Sequence, residues 1–530
     1  MRRDLAGTGA LVRLVLRRDR TRLLVWIGAI VLLVYVSAVS TIEIYPTQAD
    51  LDLAAAAAED NPVALAFNGP DQALDTMGGQ IAFQVGAFGL ALAGLMSVLL
   101  VGRATRAEED SGRLELVRAM PVGRHAPLVA SLLVVGGAQV VVAVASALSL
   151  VALDQELHGS IVLGGGFLAV GLLFLALTAV TAQVAENPRV ATGAAGGVLG
   201  AAYVLRGAGD MSGGALSWLS PIGWAQKARP FAGETWWPLG LALVVAIGLG
   251  VLAISLAERR DFGGGMVAPR PGPASAGAAL RSPFALSLRL HRAAAAWWAA
   301  ATALLGFVYG SLAESVDDLI GDNEAMADLI ASLQGVSLVD SYLATSLLIT
   351  ALLAAGPALQ IAGRLRAEEA ELRAEPLLAT PTSRTRWMGA HLVVALGSTA
   401  VAVFVGGLGL GSGHAATGGG AGQVAELTVD GLSYLPALLV VAGVAVLLFG
   451  AAPRWTAGSW LVLAACFVIA MFGTLLDLPQ WVVDLSPLQH VPPVPASDLR
   501  ALPLVALTAV ALALVGAGLV AFRRRDVVAG

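Results

Sequence analysis

The sequence predicts an all-α polytopic membrane protein of twelve spans, arranged as two parallel six-helix repeats. Three observations carry this. Hydrophobic residues fill 57% of the 530 positions and charged residues 13%, about half the charge of a soluble domain. The apolar residues fall in runs of about 20, the length that crosses a hydrocarbon core of about 30 Å. A charged signature also recurs 260 positions apart, close to half the chain. Arg106-Ala107-Glu108-Glu109 … Arg113 … Glu115 … Ala119 … Pro121 … Arg124 returns as Arg366-Ala367-Glu368-Glu369 … Arg373 … Glu375 … Ala379 … Pro381 … Arg384.

The spans are expected at 23–41, 79–102, 127–152, 160–183, 189–206, 237–257, 293–313, 341–363, 387–411, 432–451, 456–476 and 501–522. None contains Asp, Glu or Lys, and Arg206 stands at an edge. A backbone at that depth must satisfy its own hydrogen bonds, so helices follow. Residues 9–22 alternate apolar and Arg positions at near-helical spacing and are expected to lie in the headgroup plane as an amphipathic elbow. Arg2 and Arg3 begin like a signal peptide, but the basic segment Arg13 to Arg22 separates them from the first long run, so an uncleaved first span is expected. Cys466 lies inside a span, which excludes a disulfide framework.

With both termini placed in the cytoplasm, the inner segments hold 28 Arg against 14 Asp or Glu, and the outer ones 4 Lys or Arg against 23. That is the positive-inside asymmetry. The net charge of −5 therefore reports a membrane face and does not point to nucleic acid. Outer loop 42–78 is acidic, with an alanine run at 54–58.

Further pairs recur 265 or 266 positions apart. Pro188-Arg189 matches Pro453-Arg454, Leu219-Ser220-Pro221 matches Leu485-Ser486-Pro487, and Arg259-Arg260-Asp261 matches Arg524-Arg525-Asp526. Arg289, His291 and Arg292 form the second basic elbow. The expected organisation is a first half 1–261, a Gly/Pro-rich linker 262–284 and a second half 285–530.

In each half the signature follows the second span. Glu109 with Arg113, and Glu369 with Arg373, stand four apart and can support one helical turn. Pro121 and Pro381 then end the helix. A short, charged amphipathic helix suits docking into a groove of a soluble partner, where rim charges set register. A solvated loop that only anchors topology has the same composition, but its position, length and repetition favour docking. The residues expected to couple are Arg106, Glu108, Glu109, Arg113 and Glu115, with Arg366, Glu368, Glu369, Arg373 and Glu375.

No engine is encoded. The phosphate-binding loop pattern ends in Gly-Lys-Ser/Thr, and the single lysine is Lys227, in Gln-Lys-Ala. An ion-coupled carrier keeps ionisable groups at membrane depth, and the spans hold no charged residue beyond Arg189 and Arg206 at the two edges of one. His391, near the start of span nine, reads as interfacial rather than as a proton relay. The six histidines and the cysteine show no metal-ligand spacing, and no Ser/His/Asp set suggests hydrolysis.

These residues resemble a full-length ABC-2 type exporter permease of the polyketide-antibiotic or tetronasin-type and multidrug kind, over the whole chain. The most specific parts are Arg106-Ala-Glu-Glu-Asp-Ser-Gly-Arg-Leu-Glu-Leu … Pro121-Val-Gly-Arg124, and Leu219-Ser-Pro-Ile-Gly-Trp-Ala-Gln-Lys-Ala-Arg-Pro-Phe231. The second half departs from them: Leu485-Ser-Pro-Leu-Gln-His-Val-Pro-Pro lacks the Trp and basic residues, and Pro376 stands where the first half has Leu116. The resemblance implies an ABCG-like, type V exporter architecture in a bacterial plasma membrane. It also implies a chain that is not an enzyme and binds no cofactor. Two copies of a cytoplasmic ABC ATPase subunit would dock on 104–120 and 364–380, using ATP and Mg, and would drive export of a hydrophobic antibiotic, multidrug or lipid-like cargo. In this exporter type spans two, five, eight and eleven line the path. Here they offer Phe83, Gln84, Phe88, Met96, Tyr203, Tyr342, Gln360, Phe467, Met471 and Phe472.

Gly193-xxx-Gly197, Gly196-xxx-Gly200 and Gly407-xxx-Gly411 are read as close helix contacts. The Trp236-Trp237 and Trp297-Trp298 pairs are read as interfacial belts. The alternative function is an ion-coupled secondary drug antiporter with twelve spans. A membrane-embedded lipid enzyme lacks its polar cluster, and a scaffold that recruits an ATPase without transporting would differ by showing no flux.

Overall fold

The computed structural model describes residues 4–59, 62–211, 214–260, 264–267, 274–313, 337–473 and 478–526. Regular structure among them is helical, apart from an isolated bridge between Ala185 and Val267. Two compact units result, Met1–Gly272 and Pro273–Gly530, and their boundary falls inside the stretch 262–284.

The first unit holds α1 (Thr8–Ile44), α2 (Gln48–Glu59), α3 (Pro62–Asn68), α4 (Met77–Gly102), α5 (Arg113–Arg118), α6 (Ala126–Val151), α7 (Leu157–Val184), α8 (Pro188–Met211), α9 (Pro221–Gln226) and α10 (Trp237–Arg259). Helix α7 is the hub and packs against α4, α6 and α10. Its Phe167 and Phe174 are fully buried with Met96 of α4 and Val142 of α6. A buried polar node pins the same three helices. Gln139 of α6 donates to Ala93 O at 2.8 Å and to Ser97 Oγ at 2.9 Å, and Ser97 donates to Gly171 O at 2.7 Å. Away from water such bonds compete with few alternatives and fix helix register.

The second unit holds α11 (Pro283–Ser311), α12 (Leu338–Ala354), α13 (Gly356–Ala370), α14 (Ala374–Leu378), α15 (Arg384–Thr417), α16 (Gln423–Leu432), α17 (Leu435–Ala451), α18 (Ser459–Phe472) and α19 (Ala501–Arg524). Glycines set its tightest seam. A Cβ on Gly306 or Gly310 would collide with the backbone of Gly406 and Leu410, so α11 lies directly on α15. Gly407 and Gly411 likewise admit the backbone of α16, as expected of that motif. The motif of Gly193, Gly196, Gly197 and Gly200 behaves differently: an added Cβ would meet nothing within 4 Å, so it makes no close contact among the described residues.

Eleven helical stretches among the described residues are long and apolar enough to cross a membrane. The expected twelfth, 189–206, does form helix α8 but falls outside that set. Its glycines, together with Arg189 and Arg206, dilute the apolar content. Span eight is interrupted: Pro357 follows the break at Ala355 and splits 341–363 into α12 and α13. The basic stretch 9–22 is no separate elbow either. Helix α1 runs unbroken for 37 residues, about 55 Å at 1.5 Å per residue, because no proline interrupts it. Its basic turns are simply the part that outreaches a core of about 30 Å. Arg289, His291 and Arg292 are likewise continuous with α11.

Candidate coupling site

In each unit the charged signature lies where a span-two helix ends, and it is folded in two pieces. Helix α4 runs through a π-helical turn, Arg103–Ala107, to Asp110, breaks at Ser111–Gly112, and α5 follows. Helix α13 runs to Ala370, breaks at Glu371–Leu372, and α14 follows. The breaks are equivalent: Gly112 has φ +73° and Leu372 φ +60°, the left-handed residue that ends many helices. Gly112 N–H donates to Glu109 O, and Leu372 N–H to Glu369 O, both at 3.1 Å. Glycine adopts that conformation freely, whereas leucine is strained in it by about 1–2 kcal/mol.

The break takes Glu369 and Arg373 out of helical spacing, and that expected pair is not made. Glu109 accepts from Arg106 Nη1 at 2.7 Å and from Arg260 Nη2, whose two contacts are 2.8 and 3.0 Å. Glu369 accepts from Arg525 Nη1 at 2.5 Å and Nη2 at 2.7 Å, and lies 3.9 Å from Arg366. Both carboxylates are buried. Arg373 pairs with Glu371 and, at 4.0 Å, with Glu368, while the side chain of Arg113 lies outside the described residues.

Arg260 and Arg525, at the ends of α10 and α19, therefore tie span six of each half to the end of span two. A second arginine closes each tie. Arg124 Nη2 donates to Glu258 O at 2.9 Å and reaches Ala257 O and Arg260 O. Arg384 Nη1 donates to Arg525 O at 2.6 Å. Arg106 also donates to Glu186 O at 2.7 Å, reaching the turn between α7 and α8.

The first unit adds a latch from α1. Arg18 reaches Glu108 at 2.9 Å, and Asp19 binds Arg18 at 2.6 Å, Arg22 at 3.0 Å and Arg103 at 3.5 Å. Asp19 was missed as a site residue; a single acid inside an arginine stretch was the available signal. In the second unit α11 meets α15 instead through His291 Nε2 and His391 Nδ1, 3.2 Å apart, with Trp387 edge-on to His391. His391 is thus buried in the packing between these helices, two turns from the start of α15.

Other side chains face outward. Glu115, Leu116 and Met120 are exposed in the first unit, Leu116 by 75% and Met120 by 62%. In the second, Leu372, Glu375 and Pro376 are exposed.

Five of the expected cavity residues lie in the first unit and five in the second. Met96 is buried in the first core, and Phe88 and Phe467 are exposed. Gln84 accepts from Thr41, Tyr203 donates to Phe67 O, Tyr342 donates to Tyr309 O, and Gln360 accepts from Trp298 Nε1. Phe83 lines a cavity of about 30 Å³, far under the roughly 300 Å³ at which drug-sized pockets begin. Met471 is half-buried, and the Phe472 side chain lies outside the described residues.

The segment 42–78 has a clear anchor. Arg206, fully buried, donates to Leu65 O at 3.3 Å and Phe67 O at 3.1 Å and pairs with Asp210 at 3.4 Å. Tyr203 and Gln226 bind Phe67 O and Asn68 O. The C-terminal carbonyls of α3 are thereby capped by α8 and α9. The Leu219-Ser-Pro motif supports α9: Ser220 accepts from Ile222 and Gly223 N–H and donates to Ala202 O at 2.6 Å.

A protein of Mycobacterium tuberculosis (strain ATCC 25618 / H37Rv), the multidrug efflux system permease protein Rv1217c, is 39% identical over 526 residues, covering 98% of this chain and 95% of that protein. The chain belongs to the multidrug efflux permease family. The family model for the C-terminal domain of that permease matches residues 280–523, from just past the unit boundary to the end of α19. This permease is accordingly a multi-pass membrane protein with a transport role.

Proposed function

We propose that this chain is the membrane permease of an ATP-driven exporter of hydrophobic compounds. Two copies of a separate cytoplasmic ATPase engage the broken helices at 104–120 and 364–380, and the chain itself performs no catalysis. In this reading both termini face the cytoplasm of a bacterial cell. ATP and Mg are used by the partner, and the cargo is a hydrophobic drug-like or lipid-like molecule. The relative's description as a multidrug efflux permease supports the cargo class.

The observation that carries the reading is the duplicated clamp. Glu109 with Arg260, and Glu369 with Arg525, fix each broken helix to the ends of two spans. Force applied to the exposed Leu116–Met120 or Leu372–Pro376 faces reaches spans two and six without slack. Arg106, Glu109 and Glu369 transmit that force, and Glu115, Leu116, Met120, Leu372 and Glu375 touch the partner.

Leu116→Asp combined with Met120→Asp tests the contact face without touching the clamp. Cargo-stimulated ATP hydrolysis of the reconstituted pair should fall at least about tenfold, since two desolvated apolar anchors exceed 1.4 kcal/mol. Full stimulated hydrolysis by that variant would remove the docking role.

A further inference from the structure

The ends of α4, α7 and α10 and the start of α6 enclose a cavity of about 450 Å³ in the first unit, large enough for a small ligand or headgroup. Its wall carries Arg106, Arg124 and Arg260 against one carboxylate, Glu109. Among the described lining residues the arginines outnumber the carboxylate by two, before counting His125, which faces the exposed Glu258 at 3.3 Å. Gln183 and His125 also line it. Both are more than nine-tenths buried, and each keeps one polar atom, Oε1 and Nδ1, without a hydrogen-bond partner among the described residues. Such groups are costly to leave unmatched.

The second half shows which of these features the clamp itself needs. Arg106, Glu109, Arg124 and Arg260 recur as Arg366, Glu369, Arg384 and Arg525. His125, Gln183 and Ala257 do not: the same registers hold Thr385, Leu448 and Phe522. There the Arg525 guanidinium lies over the rings of Phe522 and Phe449, at 5.1 and 5.3 Å. The scaffold is common to both halves, while an opening lined by the clamp arginines, His125 and Gln183 belongs to the first; the second unit's cavity, of about 330 Å³, lies beside Glu368, Thr382 and His391 instead.

We propose that this cavity binds the phosphate of an anionic membrane lipid, with a headgroup hydroxyl or amine meeting Gln183 and His125. Guanidinium groups recognise phosphate oxygens by paired, charge-assisted bonds. A basic pocket at span ends is at the depth where phospholipid headgroups lie. A bound headgroup touches Leu114, Val122 and Gly123 of the signature segment, so lipid occupancy would stiffen it. This proposal concerns a site separate from the exposed docking face and needs no ATPase.

The full chain is purified in phosphatidylcholine micelles and titrated with phosphatidylglycerol, with lipid retention read by native mass spectrometry. Ala257→Phe and Gln183→Leu each copy the second half, and each should weaken retention at least about tenfold, with unchanged unfolding temperature in phosphatidylcholine alone. Gln183→Leu decides the matter if Ala257→Phe does not fold. Inorganic phosphate that stabilises the wild type but neither variant, with no phosphatidylglycerol preference, upholds the phosphate site and assigns it to soluble phosphate. Equal retention by wild type and both variants, or no response to either probe, would overturn the proposal.

Discussion

Replacing Glu109 by Gln removes the one acceptor that two arginines share. The carboxylate takes three charge-assisted contacts within 3.0 Å, and its side chain is 5% exposed. Breaking a fully buried ion pair from one side costs about 3–5 kcal/mol. Two features reduce that figure: Arg260 is partly accessible, and Arg106 keeps Glu186 O. The expected loss is about 2–3 kcal/mol, or roughly 30- to 150-fold in the folding equilibrium. A double-mutant cycle with Arg260→Gln, read by equilibrium unfolding in mixed micelles, should give a coupling energy of about 2 kcal/mol. The exposed Glu371–Arg373 pair serves as control and should give no more than about 0.5 kcal/mol. A Glu109–Arg260 coupling no larger than that control would refute the idea that the clamp is mechanically stiff. The matching cycle on Glu369 and Arg525 should agree with the first within about 1 kcal/mol.

Three further outcomes follow from the geometry. Leu372→Gly should stabilise the second unit by about 1 kcal/mol, because it relieves the left-handed leucine, and a lowered unfolding midpoint would contradict that. Arg206→Met should cost about 3 kcal/mol by leaving the buried Asp210 without its arginine and Leu65 O without its side-chain donor. Hydrogen exchange at residues 64–69 should rise, and unchanged exchange would show that the segment 42–78 is held otherwise. Gln139→Leu should cost only about 0.6–1.7 kcal/mol, as polar contacts between membrane helices do, and a loss above about 3 kcal/mol would mean the node organises the whole first core.

The long apolar runs were legible because a bilayer imposes one length on every span, and the runs at 79–102, 160–183 and 501–522 lie inside helices at α4, α7 and α19. The run at 189–206 was less clear, since its glycines and two arginines dilute its hydropathy. The signature's charges were legible as a repeat, but their partners were not. Glu109 sits four before Arg113 in sequence, yet 151 positions separate it from the Arg260 it binds. A single left-handed residue, Leu372, redirects the chain in the second unit and leaves Glu369 with Arg525 rather than Arg373. Arg259-Arg260-Asp261 and Arg524-Arg525-Asp526 repeat as the signature does, 265 positions apart, and that shared duplication was the recoverable clue. The polar residues expected to line a path were read from span position alone, and most spend their hydrogen bonds on neighbouring helices.

The account rests on the permease borrowing its force through the two clamped segments. Cargo uptake into inside-out vesicles holding the purified permease tests it directly, with and without the ATPase partner and with imposed pH or sodium gradients. Uphill movement should need the partner and ATP and should be absent under either gradient alone. Uphill movement by the permease alone under a pH or sodium difference would contradict the account.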